Sequence, residues 1–459
     1  MPDAAKPPEL SAEQADATIR SKAYVGLLVV VAVIGVVVSI AAWCFLEAIF
    51  QIQQELFVRI PDGLGYEHGP PKWWLLLVLA VGALIVALAI TRLPGDGGHI
   101  PAKGLSAGGP SGPDVVPGVL LAGLATLGFG LVLGPEAPLI VLGAGLAGAM
   151  ISLARRDIPP QPRMLVAASG SFAAMSFIFA SPLIAAVILI EATAIGGPRL
   201  RLLLVPGLLA AGIGSLVSLG VGSLSGLSTH DYALGPIALP TLGHLTAGQF
   251  GWTIALAIAV AVVTSFVMRG GLLTYQFVSR RQMLVLLPAI GLIVGGLAIA
   301  FSQITGHSVD EVLFSGQDQL PGLVGQAGTW SLAALAWLLV FKGLAYLLSL
   351  GSYRGGPTFP ALFLGAAAGI MCSHLPGFPA SAAVPVGMGV AIVAVLRLPL
   401  SAVVLATLLT SHAGPKVEPL IILGVVVAYV VTLVMARPPA SASAPTSVPT
   451  PVPARNSAP

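Results

Sequence analysis

Long apolar runs separated by short polar interruptions fill most of this 459-residue chain. The runs fall at 24–50, 74–91, 114–133, 164–196, 202–222, 252–268, 284–303, 330–350, 382–396 and 417–436. A helix needs roughly 20 apolar residues to cross a bilayer, so the pattern predicts an all-α polytopic membrane protein. The first run is too long for the apolar stretch of a signal peptide, and the residues before it are polar. It is therefore expected to be a retained span.

Glycine and proline punctuate these runs in a repeated way. GPEAPLIVLGA starts at Gly134 and GPTFPALFLGA starts at Gly356. At a constant offset of 222 residues, Gly134, Pro135, Pro138, Leu142, Gly143 and Ala144 match Gly356, Pro357, Pro360, Leu364, Gly365 and Ala366. Glu136 falls opposite Thr358. A second echo pairs PLIAAV at Pro182 with PLSAVV at Pro399. Two halves of one duplicated transporter-type fold are expected, with inverted topology.

Proline is tolerated in the first turn of a helix, whose N–H groups lack intrahelical partners. Each copy therefore reads as a helix that starts inside the bilayer. Free N–H groups and a partial positive charge gather at such ends, and two of them near the midplane would attract an anion. The plainer alternative is a pair of Pro-kinked packing helices. A third broken stretch, PGDGGHIPAKGLSAGGPSGPDVVPG at 94–118, is too rich in glycine for a regular helix and can be read as a flexible loop.

Charge then sets the orientation. The N-terminus and segments 92–113, 154–163, 198–201, 269–281 and the C-terminal tail hold 15 Lys and Arg residues. The opposing segments 58–73, 223–247 and 304–329 hold only Arg59 and Lys72, and the last carries Asp310, Glu311 and Asp318. The positive-inside rule places the first set, with both termini, in the cytoplasm of a multi-pass protein of the plasma membrane. The expected organisation is a polar N-terminus (1–23), a first membrane half (24–222), an extracellular connector (223–247), a second membrane half (248–436) and a tail (437–459). The tail is rich in Pro, Ala and Ser and is expected to be disordered.

Composition agrees and narrows the chemistry. The chain is 56% hydrophobic and 8% charged, with a mean hydropathy of +0.96, against about 25% charged in soluble domains. A net charge of +3 without a basic cluster interleaved with aromatics gives no sign of nucleic-acid binding. Cys44 and Cys372 lie in apolar runs and read as buried small hydrophobes. The seven histidines show no metal-ligand spacing, and there is no nucleotide fingerprint or nucleophile elbow, so neither a metal, a cofactor nor enzymatic activity is expected. Glu47 reads as structural. Lys342, inside a span, and Arg397, ahead of Pro399, could balance a buried acid or add positive potential to a path.

GGHIP (97–101), GPEAP (134–138) and GPTFP (356–360) together resemble the ordered signatures of the CLC family of chloride channels and chloride/proton antiporters. The resemblance spans about 24–440. It implies a homodimer in the lipid bilayer, with one anion path per subunit and a signature at each of three helix N-termini. Glu136 would be the gating glutamate, a tethered competitor for chloride that swings away when protonated. Gly98, His99, Ile100, Ala137, Thr358 and Phe359 would line the anion site. His99 could donate to the anion or simply line the cytoplasmic mouth.

The chain also departs from the family pattern. Gly98 stands where a serine hydroxyl is usual. Pro357 stands where a backbone N–H is usual, and proline has none. A tyrosine expected near Ala440 is absent, with Tyr429 the nearest upstream. Antiporters of the family carry two adjacent acids where this chain has Glu191 and Ala192. Glu191 is then either a structural carboxylate or a displaced proton relay. Passive or weakly proton-coupled chloride permeation is expected. A chloride/proton antiporter with a displaced path and a non-conducting scaffold are the alternatives.

Overall fold

The apolar runs fold as helices, and Gly and Pro decide where each one stops. The computed structural model describes residues 11–66, 69–105, 112–154, 159–193, 197–225 and 234–436. The first ten residues, 226–233 of the connector and the tail 437–459 lie outside the described residues. Seven helices of more than ten residues are described in the first half: α1 (Lys22–Gln54), α2 (Lys72–Arg92), α3 (Val116–Gly128), α4 (Glu136–Ala154), α5 (Pro160–Phe179), α6 (Pro182–Thr193) and α7 (Pro198–Ser225). Seven more form the second: α8 (Ala247–Val278), α9 (Met283–Thr305), α10 (Leu332–Ser352), α11 (Thr358–Cys372), α12 (Ala380–Leu396), α13 (Pro399–Leu409) and α14 (Glu418–Met435). Among the described residues, 9 helical segments are long and apolar enough to cross a membrane, and there is no strand.

Three of the apolar runs are not simple spans. The run 164–196 breaks into α5 and α6 at Ala180, which takes a left-handed φ of 47° before Ser181 and Pro182. The run 114–133 yields only the 13 residues of α3, because the chain turns at Gly130 (φ 86°). The run 382–396 is the 17-residue α12, short and buried along nearly its whole length. Apolar composition cannot separate a lipid-facing span from a short helix enclosed by others.

Packing repeats from half to half. α4 lies along α5 as α11 lies along α12, and α6 and α7 close the first group as α13 and α14 close the second. Gly143 of α4 meets Gly170 of α5 backbone to backbone, and Gly365 of α11 meets Gly387 of α12 in the same way. A Cβ at any of the four positions would run into the facing carbonyl. Both pairs turn on the same left-handed device, since Arg397 (φ 58°) ends α12 two residues before Pro399 as Ala180 ends α5 before Pro182. The outermost helices present apolar side chains outward, among them Val33, Leu216, Leu219, Val263 and Val434. Lipid is the solvent that accepts such a surface.

Candidate functional site

The two halves meet where the two Gly-Pro signatures cross. Gly134 donates its N–H to the Gly356 carbonyl at 2.7 Å, and Gly356 donates to the Gly134 carbonyl at 2.5 Å. This isolated antiparallel bridge lies directly ahead of both helix starts, α4 at Glu136 and α11 at Thr358. The Glu136 carboxylate packs against both glycines, and a Cβ on either would meet it in this position.

Glu136 is completely buried. Its Oε1 accepts hydrogen bonds from the backbone N–H groups of Thr358 and Phe359, both at 3.1 Å. Those are free donors at the N-terminus of α11, where partial positive charge accumulates. The Thr358 hydroxyl stands beside the same carboxylate. Oε2 is buried with no hydrogen-bond partner. The donor pair is thus 358 and 359: proline at 357 removes one N–H, and the next two residues supply the contact. Pro360 then contributes no further N–H. Ala137, in the first turn of α4, is buried and follows Glu136 directly.

Aromatic groups frame this centre. The Phe359 ring stacks on Phe179 at 5.4 Å, tying the α11 start to the end of α5. Tyr346 of α10 is buried, and its hydroxyl donates to the Pro357 carbonyl at 2.6 Å. It lies within electrostatic range of Glu136. Nothing in the sequence marks Tyr346, which sits in an ordinary apolar run, so the tertiary fold alone reveals this hydroxyl.

The first signature has a different form from the other two. GGHIP leads only into a three-residue 3₁₀ turn, Pro101–Lys103, and not into a regular helix, which corrects the third helix N-terminus implied by the resemblance. Gly97 and Gly98 take φ values of 70° and 101°. A side chain at Gly98 would be strained there, which accounts for the missing serine. The His99 Nε2–H donates to the Gly104 carbonyl at 2.5 Å. Burial holds the His99 ring below its ordinary range, and Lys103 and Arg354 act in the same direction against the pull of Gly104. Ile100 packs against the core. Among the described residues, no hydrogen bond joins Gly98, His99 or Ile100 to Glu136.

Arg354 links this loop to the third signature. Its Nε donates to the Asp96 carbonyl at 3.0 Å and its Nη1 to the Tyr353 carbonyl at 3.2 Å. A charged residue two positions before Gly356 was a visible signal in the sequence.

Glu191 is fully engaged elsewhere. Its Oε1 accepts from the Leu400 N–H at 3.1 Å, and its Oε2 accepts from the Ser401 N–H at 2.7 Å and the Ser401 hydroxyl at 2.6 Å. It caps α13, which has no side-chain cap of its own. Lys342 is also fully occupied. Its Nζ donates to the carbonyls of Glu311, Val312 and Leu313 at 2.9, 3.4 and 3.0 Å, and lies 4.4 Å from the Phe363 ring centre. It anchors the turn at 309–313. Arg397 is exposed.

On the face bearing the acidic loops, a cavity of about 830 Å³ opens between α1, α2 and the segment 302–321. Gln53, Asp62, Lys72, Asp310, Gln317 and Asp318 are among its walls. A small pocket that shares Phe50, Gln53, Gln317 and Asp318 continues inward to Pro135, the residue before Glu136. The cavity therefore leads toward Glu136.

A family model described as "Voltage gated chloride channel" matches residues 82–433. Among curated proteins, the chain is 28% identical over 359 residues to "Putative ion-transport protein YfeO" of Escherichia coli O7:K1 (strain IAI39 / ExPEC), covering 76% of this chain and 79% of that one. It is 29% identical, with the same coverage, to the protein of that name from Escherichia coli O1:K1 / APEC. Among solved structures, a slow cyanobacterial Cl-/H+ antiporter is similar in fold, with a TM-score of 0.71 at 20% identity, over 89% of this chain and 94% of that one. A CLC-type fluoride/proton antiporter gives 0.66 at 17% identity, over 89% and 95%.

Proposed function

Because this integral, multi-pass membrane protein belongs to the voltage-gated chloride channel family, we propose that it conducts chloride or a similar small anion passively, with Glu136 as the gate. CLC-family anion transport is the frame, and the position of one carboxylate carries the finer reading. Glu136 rests on the two N–H donors that an anion would use at the start of α11. Carboxylate and anion compete for one pair of donors, as helix-end dipoles and backbone N–H groups replace an ion's hydration shell. Protonation removes the charge, weakens both hydrogen bonds and frees the donors. Oε2, which no donor holds, is the oxygen open to that proton.

Weak or absent proton coupling is supported from the opposite end of the path. Ala192 carries no proton, and Glu191 spends both oxygens on the α13 cap. The subunits pair as a homodimer in the plasma membrane, with the basic loops and both termini in the cytoplasm and the large cavity as the extracellular mouth. One observation favours proton-coupled exchange: two solved structures of similar fold are those of antiporters.

Anion efflux from proteoliposomes, with chloride and pH recorded together, separates these readings. Chloride efflux that moves no protons uphill and loses its pH dependence in Glu136→Ala is the expected result. Stoichiometric proton pumping by a chloride gradient would refute passive conduction. No flux from a verified folded dimer would favour a scaffold.

A further inference from the structure

Arg354 is about 95% buried, with 5% relative exposure. A buried guanidinium is costly unless an anion accompanies it. Among the described residues, the ion pairs are Arg59 with Glu55 and Arg201 with Asp16, and no carboxylate comes within 4.0 Å of Arg354. The exposed Asp96 carboxylate and Tyr275 act on it only at longer range. A guanidinium has five N–H donors in a planar fork. Two are used, one from Nε and one from Nη1, both to carbonyls. The remaining three N–H groups, one on Nη1 and two on Nη2, have no acceptor among the described residues.

Its place in the fold gives that fork a purpose. The backbone N–H of Arg354 donates to Thr126 Oγ1 at 3.4 Å, fixing it beside α3. Gly97 of the first signature packs against its Cγ, and Gly356 of the third follows two residues later. His99 lies within its electrostatic range. Arg354 therefore sits between the two signatures that lack their usual donors, at Gly98 and Pro357. Lys342 makes the contrast: it too is buried and unpaired, yet three carbonyls and a ring satisfy it.

We propose that Arg354 is an anion-binding residue of the path on the basic-loop side, where its free fork holds a small monovalent anion in place of the donors absent at Gly98 and Pro357. The anion is the missing counter-charge. The fork matches planar oxyanions in two-point contact, so nitrate binds at least as well as chloride. The assignment builds on anion conduction as the function, but its test does not depend on flux.

Equilibrium binding of chloride and of nitrate to the purified full-length protein is titrated calorimetrically for the native chain, Arg354→Lys and Arg354→Gln. Hydrogen bonds to charged groups contribute about 1.5–3 kcal/mol, so Arg354→Gln weakens binding about tenfold or more. Arg354→Lys keeps chloride binding closer to native but loses more nitrate affinity than chloride affinity, because an ammonium has no fork. Native affinities in a folded Arg354→Gln would overturn the proposal. Should that variant not fold, native crystals soaked in bromide decide: an anomalous peak within about 3.5 Å of the guanidinium supports it, and its absence overturns it. A bromide peak at Arg354 alongside unchanged gating in Glu136→Ala would uphold this site while refuting the gate.

Discussion

Glu136→Gln isolates the charge of the proposed gate while keeping its shape. The amide oxygen of glutamine can still accept from Thr358 and Phe359, which now donate to Oε1 at 3.1 Å. The two bonds change from charge-assisted to neutral. The first kind contributes about 1.5–3 kcal/mol and the second about 0.5–1.5. Two downgraded bonds weaken the tether by roughly 2–3 kcal/mol in total. An anion competing for the same donors gains that amount, which is about 30- to 150-fold in apparent affinity. Helix-end charge is unaltered, so the site itself stays attractive. Calorimetric chloride titration between pH 5 and pH 8, on native and Glu136→Gln protein, measures this directly. The native affinity should tighten as pH falls and the carboxylate takes a proton. The variant should bind tightly throughout, with no pH dependence. Equal affinities, or a variant that keeps the native pH profile, would refute competition between carboxylate and anion.

Glu191→Ala should lower thermal stability by about 1–2 kcal/mol, the scale of a lost helix cap, and leave the proton balance of chloride flux untouched; a change in coupling without a stability loss would make Glu191 a relay. Gly365→Val should abolish the monodisperse folded peak in size-exclusion chromatography, because its side chain enters the Gly387 carbonyl, whereas Gly26→Ala has open space and should be neutral. Burial holds the Glu311 carboxyl up at about 7 from an ordinary 4.5, with Lys342 opposing and Asp310 reinforcing. The folded protein thus keeps this proton to higher pH than the unfolded chain does. Its contribution to stability is full below about pH 4.5, falls as pH rises and is lost beyond about 7. Thermal unfolding across that window should show the decline, and Glu311→Gln should flatten it.

The sequence by itself determined the solvent, the duplication and the place of one ionisable group inside the membrane. Apolar runs of bilayer length require helices, because backbone groups in lipid must be satisfied within the chain. The 222-residue echo follows from one packing unit used twice, and a lone glutamate between prolines at a helix start marks an ionisable group inside the membrane. Tertiary structure decided everything that depends on which ends meet. That Glu136 rests on the N–H groups of Thr358 and Phe359 follows from the Gly134–Gly356 pairing, a contact across 222 positions. The break at Ala180 was hidden because Ala favours helix, and only the turn into Pro182 forces its left-handed φ. Sequence alone reads Glu191 as either a structural carboxylate or a displaced proton relay, since its partner, the start of α13, is 209 residues away. Tyr346 and Arg354 acquire their meaning from the third signature folding back on α10 and on the loop at 96–99. Local pattern reports what each segment prefers, whereas a site built from opposed helix ends exists only once long-range packing brings those ends together.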